Sequence, residues 1–171
     1  GQFHDFIDIG AAALTMVAHS KDISVDEATA KDIIKQHITR LPAHDDVVPT
    51  LKALQSAGVT LVALSNSSKA GLDAQLEFAN IKPYFSHVLS VESVRTYKPH
   101  AAVYHWACQQ ANVKNEDAMM VAAHGWDVSG AKATGMQTVF VERSGKMVYP
   151  LGIAPDHSIA SLTALIEMIS S

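Results

Sequence analysis

Ser65-Asn66-Ser67-Ser68, Tyr97-Lys98-Pro99 and His124-Gly125-Trp126-Asp127 hold the residues of this chain best suited to chemistry. They offer hydroxyls and an amide, one ammonium, and an imidazole beside a carboxylate. Taken singly, each has an ordinary reading. Ser and Asn serve loops and helix N-caps, Lys98 can be a solvated cation, and Asp127 can cap the helix it begins. Taken together they indicate a site, because each cluster falls at or shortly after the end of one of three successive strands. In open parallel sheets the ligand crevice lies beyond the carboxyl ends of the strands.

Other patterns fail on inspection. Gly125 to Lys132 resembles a phosphate-binding loop, but Ala131 stands where Gly should precede Lys, and Ala133 offers no hydroxyl for magnesium. His105 and Cys108 lie three apart among Tyr104, Trp106 and Ala107, a setting for packing against a sheet rather than for nucleophilic catalysis. The nine histidines form no HExxH or comparable cluster. No metal or other cofactor is expected.

The elements that position the three clusters follow from periodicity. From Gln2 to about Arg40, apolar residues recur at helical spacing, with a break at His19-Ser20-Lys21-Asp22. Ser24 with Glu27 reads as the capping box of a second helix, so two amphipathic helices form a hairpin. Leu41-Pro42-Ala43-His44 links it to the rest. A helix is expected over Val47 to Ala57, a strand buried on both faces over Val59 to Leu64, and a helix over Lys69 to Ala79. A strand His87 to Val91, a helix Ala101 to Ala111 and a strand Ala118 to Ala123 come next. A helix Asp127 to Thr134, a strand Thr138 to Glu142 and a final helix Ile159 to Ile169 complete the pattern. Strands alternating with helices predict an α/β protein with a Rossmann-like, doubly wound parallel sheet. The expected division is 1–43, a partial helical cap, and 44–171, the core.

Composition narrows the class. Of 171 residues, 48% are hydrophobic and 18% charged, which is too apolar for disorder. A net charge of −4 gives no electrostatic footing for nucleic acid or an anionic membrane. No run of 18 apolar residues exists to span a bilayer. Ile9 to Ala18 lacks the basic leader of a signal peptide, since Asp5 and Asp8 precede it. The lone Cys108 excludes an internal disulfide. A cytoplasmic globular protein is the expectation.

Three blocks then resemble the 2-haloacid dehalogenases of the haloacid dehalogenase superfamily. They are Leu64-Ser65-Asn66, Tyr97-Lys98-Pro99-His100 with Tyr104, and Val121-Ala-Ala-His-Gly-Trp-Asp127 with Gly130-Ala131. The tail Tyr149 to Asp156 is similar as well. The resemblance implies a helical cap inserted after the first strand of the core. It also implies hydrolysis of short 2-haloalkanoic acids to 2-hydroxy acids, in which an aspartate displaces halide and water cleaves the resulting ester. By position, Ser65 would hold the substrate carboxylate or the nucleophile, and Asn66 would line the halide side. Lys98 would pair with the nucleophile and keep it ionised. Tyr104 would shape the site beside Lys98, and Trp126 would join it on the substrate side. His124 would stand near the hydrolytic water, and Asp127 would fix Lys98 through a charge-assisted hydrogen bond. Magnesium-dependent phosphoryl transfer is disfavoured, because the loop after Ala118–Ala123 supplies only Asp127 as an acid.

One departure matters. The family begins with a strand ending in Asp-x-x-Gly-Thr, which carries the nucleophile, and a cap segment with a halide-binding arginine follows. Neither is found in these 171 residues. Phe6-Ile7-Asp8-Ile9-Gly10 imitates the first, but helical spacing places it in the cap. The expectation is a chain truncated at its N-terminus and inactive alone. In the family's sheet the missing strand separates Val59–Leu64 from Ala118–Ala123, so its loss leaves an opening of roughly 10 Å. Unpaired buried backbone groups there would cost about 1–3 kcal/mol each. The flanking strands could pair directly, the N-terminal segment could fill the place, or a second copy could do so in an intertwined homodimer. The alternative function is a non-catalytic, self-associating relative that keeps the scaffold for binding.

Overall fold

The computed structural model describes residues 2–169. Gly1, Ser170 and Ser171, which the expected boundaries include, lie outside the described residues. Helix α1 (Phe6–His19) starts where the Asp5 carboxylate accepts hydrogen bonds from the backbone N–H groups of Ile7 at 2.7 Å and Asp8 at 3.0 Å. Helix α2 (Glu27–Ile38) starts one residue after Asp26, whose side chain accepts from the Thr29 backbone at 2.9 Å and the Thr29 hydroxyl at 2.6 Å. The expected Ser24–Glu27 box is therefore corrected. A carboxylate at Asp26 makes two bonds and also suits the positive end of the helix dipole. The hairpin itself forms. Ala11, Ala18 and Ala30 are buried, Gly10 of α1 lies against Ile34, and Lys31 bridges Asp8 at 2.9 Å.

The core alternates as its periodicity requires. Helix α3 (Val47–Ser56), strand β1 (Val62–Ser65), helix α4 (Lys69–Phe78) and strand β2 (His87–Ser90) form one half. Helix α5 (Ala101–Gln110), strand β3 (Met119–Ala122), helix α6 (Gly125–Lys132) and strand β4 (Gln137–Val141) follow, then β5 (His157–Ile159) and α7 (Ala164–Met168). All strand pairs are parallel. β1 pairs with β2, aligning Ser65 with Ser90, and β3, β4 and β5 form a second sheet in that order. β4 lies in the middle of its sheet, and four of its five residues are buried. Leu54, Val139, Val141, Ile159 and Leu165 form one apolar cluster. Tyr104, Cys108, Ala131 and Met136 form the other, so Cys108 packs as expected and burial pushes its thiol pKa up.

Two expectations need correction. The final helix was expected from Ile159, but residues 157–159 extend the sheet and the helix covers only Ala164–Met168. The backbone N–H of Glu142 donates to Ile159 at 2.9 Å, and Asp46 holds the turn between strand and helix. Its carboxylate accepts from the Ser161 hydroxyl at 3.1 Å and the Leu162 N–H at 2.8 Å. Second, neither filling of the opening from within the chain occurs, and the expected parallel strands fall into two groups. β1 and β3 do not pair with each other, and residues 6–19, rather than filling the place between them, are helical.

Candidate active site

The carboxyl ends of β1 and β2 are knitted together by hydroxyls. The Ser65 hydroxyl accepts from the Ser67 N–H at 3.1 Å, and the Ser90 hydroxyl donates to the Ser67 carbonyl at 2.7 Å. Ser68 caps α4 by accepting from Gly71 at 3.2 Å. Asn66 reaches across to the Lys98 backbone, accepting from its N–H at 2.9 Å and donating to its carbonyl at 3.3 Å. Its amide is thus a clamp on the segment that carries the ammonium.

Lys98 extends inward from that clamp. Its Nζ donates to Asp127 Oδ2 at 2.5 Å and to the carbonyl of Leu64, in β1, at 3.1 Å. The two side chains are 9% and 4% exposed. The other carboxylate oxygen of Asp127 accepts from the Tyr104 hydroxyl at 2.7 Å, and the same hydroxyl lies 3.1 Å from the Asp127 carbonyl. Burial first, then the neighbouring carboxylate, push the Tyr104 phenol far above its usual range. Charge-assisted bonds on both oxygens satisfy a carboxylate that would otherwise be costly to bury. Gly130 permits this approach. A Cβ there would sit 2.6 Å from Pro99 Cβ and 2.9 Å from the Tyr104 hydroxyl.

His124 stands at the carboxyl end of β3, one residue before α6. Its Nε2 lies 3.2 Å from Lys146 Nζ, and its ring faces that of Trp126 at 5.4 Å. Partial burial and then the Lys146 ammonium lower the imidazole's pKa. Asp127 pulls it upward, and Lys98 lowers it further.

The structure therefore brings Asn66, Lys98, Tyr104 and Asp127 into one hydrogen-bonded unit, with Ser65 on the strand whose Leu64 carbonyl Lys98 touches. His124 and Trp126 form an adjoining, more exposed pair. Asp8 does not join the site, because it lies on α1 and is paired with Lys31. Among the described residues no group of three or more His, Cys, Asp or Glu side chains is placed to hold a metal ion. Three participants were missed: the Leu64 carbonyl, Ser90 and Lys146. A backbone acceptor carries no residue-type signal, and Ser90 and Lys146 lie in unremarkable polar stretches of the sequence.

Parallel strands alternating with helices, with a buried ammonium, carboxylate and phenol in contact near the end of β1, define an α/β protein with one polar cluster in its interior. The family model of haloacid dehalogenase-like hydrolases matches residues 8–141. Haloacetate dehalogenase H-2 of Moraxella sp. (strain B) is 31% identical over 170 residues, covering 99% of this chain and 75% of its own length. An (S)-2-haloacid dehalogenase of Pseudomonas sp. (strain YL) is 30% identical over 159 residues, covering 93% and 68%. The L-2-haloacid dehalogenase of Xanthobacter autotrophicus, solved with chloropropionic acid covalently bound, superposes with a TM-score of 0.91. At 24% identity it covers 99% of this chain and 77% of its own, and shows the shared fold. The chain belongs to the haloacid dehalogenase-like hydrolases, and its relatives include 2-haloacid dehalogenases.

Proposed function

We propose that these residues form the receiving half of a site that hydrolyses short 2-haloalkanoic acids to 2-hydroxy acids. The carrying observation is the buried Lys98, fixed by Asp127, by the Leu64 carbonyl and by the Asn66 clamp on its backbone. An ammonium so placed favours the ionised form of a carboxylate brought to the end of β1. In the reaction, that carboxylate's oxygen attacks the halogen-bearing carbon, an ester bond forms, and halide leaves with the bonding pair. Water then adds to the ester carbonyl and releases the 2-hydroxy acid, returning the carboxylate. Ser65 and Asn66 lie on the substrate side, Tyr104 and Asp127 hold Lys98, and His124 with Trp126 borders the water.

The attacking carboxylate is not one of these 171 residues in this reading. Asp8 is engaged in the helical hairpin, and Asp127 is saturated by Lys98 and Tyr104. A strand between β1 and β3 would supply it. Those strands each pair on one side only among the described residues, which equally suits recruitment of a second copy as a homodimer. Binding tests the receiving half directly. Titrating the labelled chain with 2-chloropropionate should move the amide signals of Ser65, Asn66 and His124 without releasing chloride, and Lys98→Met should abolish the shifts. Shifts that persist unchanged in Lys98→Met would remove the ammonium from the site. Light scattering reads the dimer, which a strictly monomeric mass at high concentration would contradict.

A further inference from the structure

We infer that Lys146 is a positioning residue for His124, holding the imidazole as the neutral tautomer that accepts at Nε2 and carries its proton on Nδ1. The inference rests on the reading of His124 as a site residue, but its test requires no turnover, so the two can fail separately.

A lysine ammonium has three donors and no acceptor. At 3.2 Å from Lys146 Nζ, the Nε2 atom of His124 must therefore be the acceptor, which leaves Nδ1 as the protonated nitrogen. Several independent features bring Lys146 to this position. Its backbone N–H closes a turn onto the Arg143 carbonyl at 2.9 Å, with Gly145 in the left-handed region at φ +71°. The chain then crosses the start of α6 in close contact. A Cβ on Gly125 would lie 2.4 Å from the Tyr149 nitrogen and 2.5 Å from the Met147 carbonyl oxygen. Further along, the Ile153 N–H donates to the Ser129 hydroxyl of α6 at 2.9 Å. The glycine next to His124 thus admits the segment that delivers the lysine.

The charged groups acting on His124 are Lys146 from this segment, Lys98 from the loop before α5, and Asp127 from α6. The two ammoniums oppose protonation of the ring and the carboxylate favours it. Of the two, Lys146 is the one that also selects a nitrogen.

Long-range 1H–15N spectra of the histidine side chains of the full chain, with His124 assigned through His124→Gln, read both the tautomer and the titration midpoint. At neutral pH the native chain should show Nδ1–H, and Lys146→Arg should preserve it. Lys146→Met should switch His124 to Nε2–H, the form free imidazole side chains prefer, and raise its midpoint by about half a pH unit. Gly125→Ala, which displaces the segment, should reproduce the switch. A Lys146→Met chain that keeps the Nδ1–H tautomer, or that titrates unchanged, overturns the inference. Lys146 is exposed, so that variant retains the fold and decides the matter even if Gly125→Ala does not fold.

Discussion

Lys98 and Asp127 are nearly buried and share one short contact, so removing either partner strands the other. Lys98→Met should lower unfolding stability by about 3–5 kcal/mol, the range for breaking a buried ion pair, as read by urea denaturation. Tyr104→Phe deletes one donor to Asp127 while keeping the packing, and should cost about 1–3 kcal/mol. The same geometry makes a spectroscopic prediction. The Tyr104 phenol, wholly buried beside a carboxylate, should stay protonated on raising the pH until the chain unfolds, so its phenolate absorbance should appear together with loss of circular dichroism. At this scale the sequence was readable where residue type is distinctive. The Tyr97-Lys98-Pro99 block and an Asp after Trp stood out, whereas the Leu64 carbonyl that completes the lysine's shell could not.

The elements hold these residues through close approaches and polar clamps. Helix α6 meets the Lys98 segment only because residue 130 lacks a side chain. Gly130→Ala would force a Cβ to within 2.6 Å of Pro99 Cβ, and should destabilise by about 1–3 kcal/mol and loosen the Lys98–Asp127 contact. Asp46 ties the start of α3 to Arg143 at 2.7 Å and to Ser161 and Leu162 before α7. The Arg143 hydrogen bond, then those from Leu162 and Ser161, hold its pKa down to about 2 from the ordinary 3.8, against the opposing effect of burial. A folded-state value below the unfolded one means that its stabilisation is complete above the ordinary range and is lost as the pH falls toward 2. Asp46→Asn should therefore be less stable than the native chain at neutral pH, and the gap should narrow on acidification, as urea midpoints across that window will show. Long periodic elements were legible: the hairpin, α3 to α6 and four strands follow from hydrophobic spacing. β5 was not, because three residues are too few to show a period and Ile159 fits a helix equally well. The Asp26 cap was missed because Ser24 and Glu27 satisfy the capping-box pattern two residues early.

Across the whole molecule, the parallel strands fall into two groups that do not pair with each other, and Lys98 links the Leu64 carbonyl of β1 to Asp127 of α6. Periodicity predicted the parallel α/β order, and the family resemblance predicted a strand between β1 and β3 bearing the attacking carboxylate. In the structure β1 and β3 are not hydrogen-bonded to each other, and each pairs on one side only among the described residues. How the molecule completes its sheet is a long-range property that no local pattern in 171 residues encodes. The most direct measurement is chloride released from 2-chloropropionate by this chain, compared with the same chain extended at its N-terminus by the first strand of an (S)-2-haloacid dehalogenase. No release by the 171 residues, and release by the extended protein that is abolished by Lys98→Met or by Asp→Asn in the added strand, is the predicted result. Steady turnover by the 171 residues alone would contradict the claim that the nucleophile lies outside them.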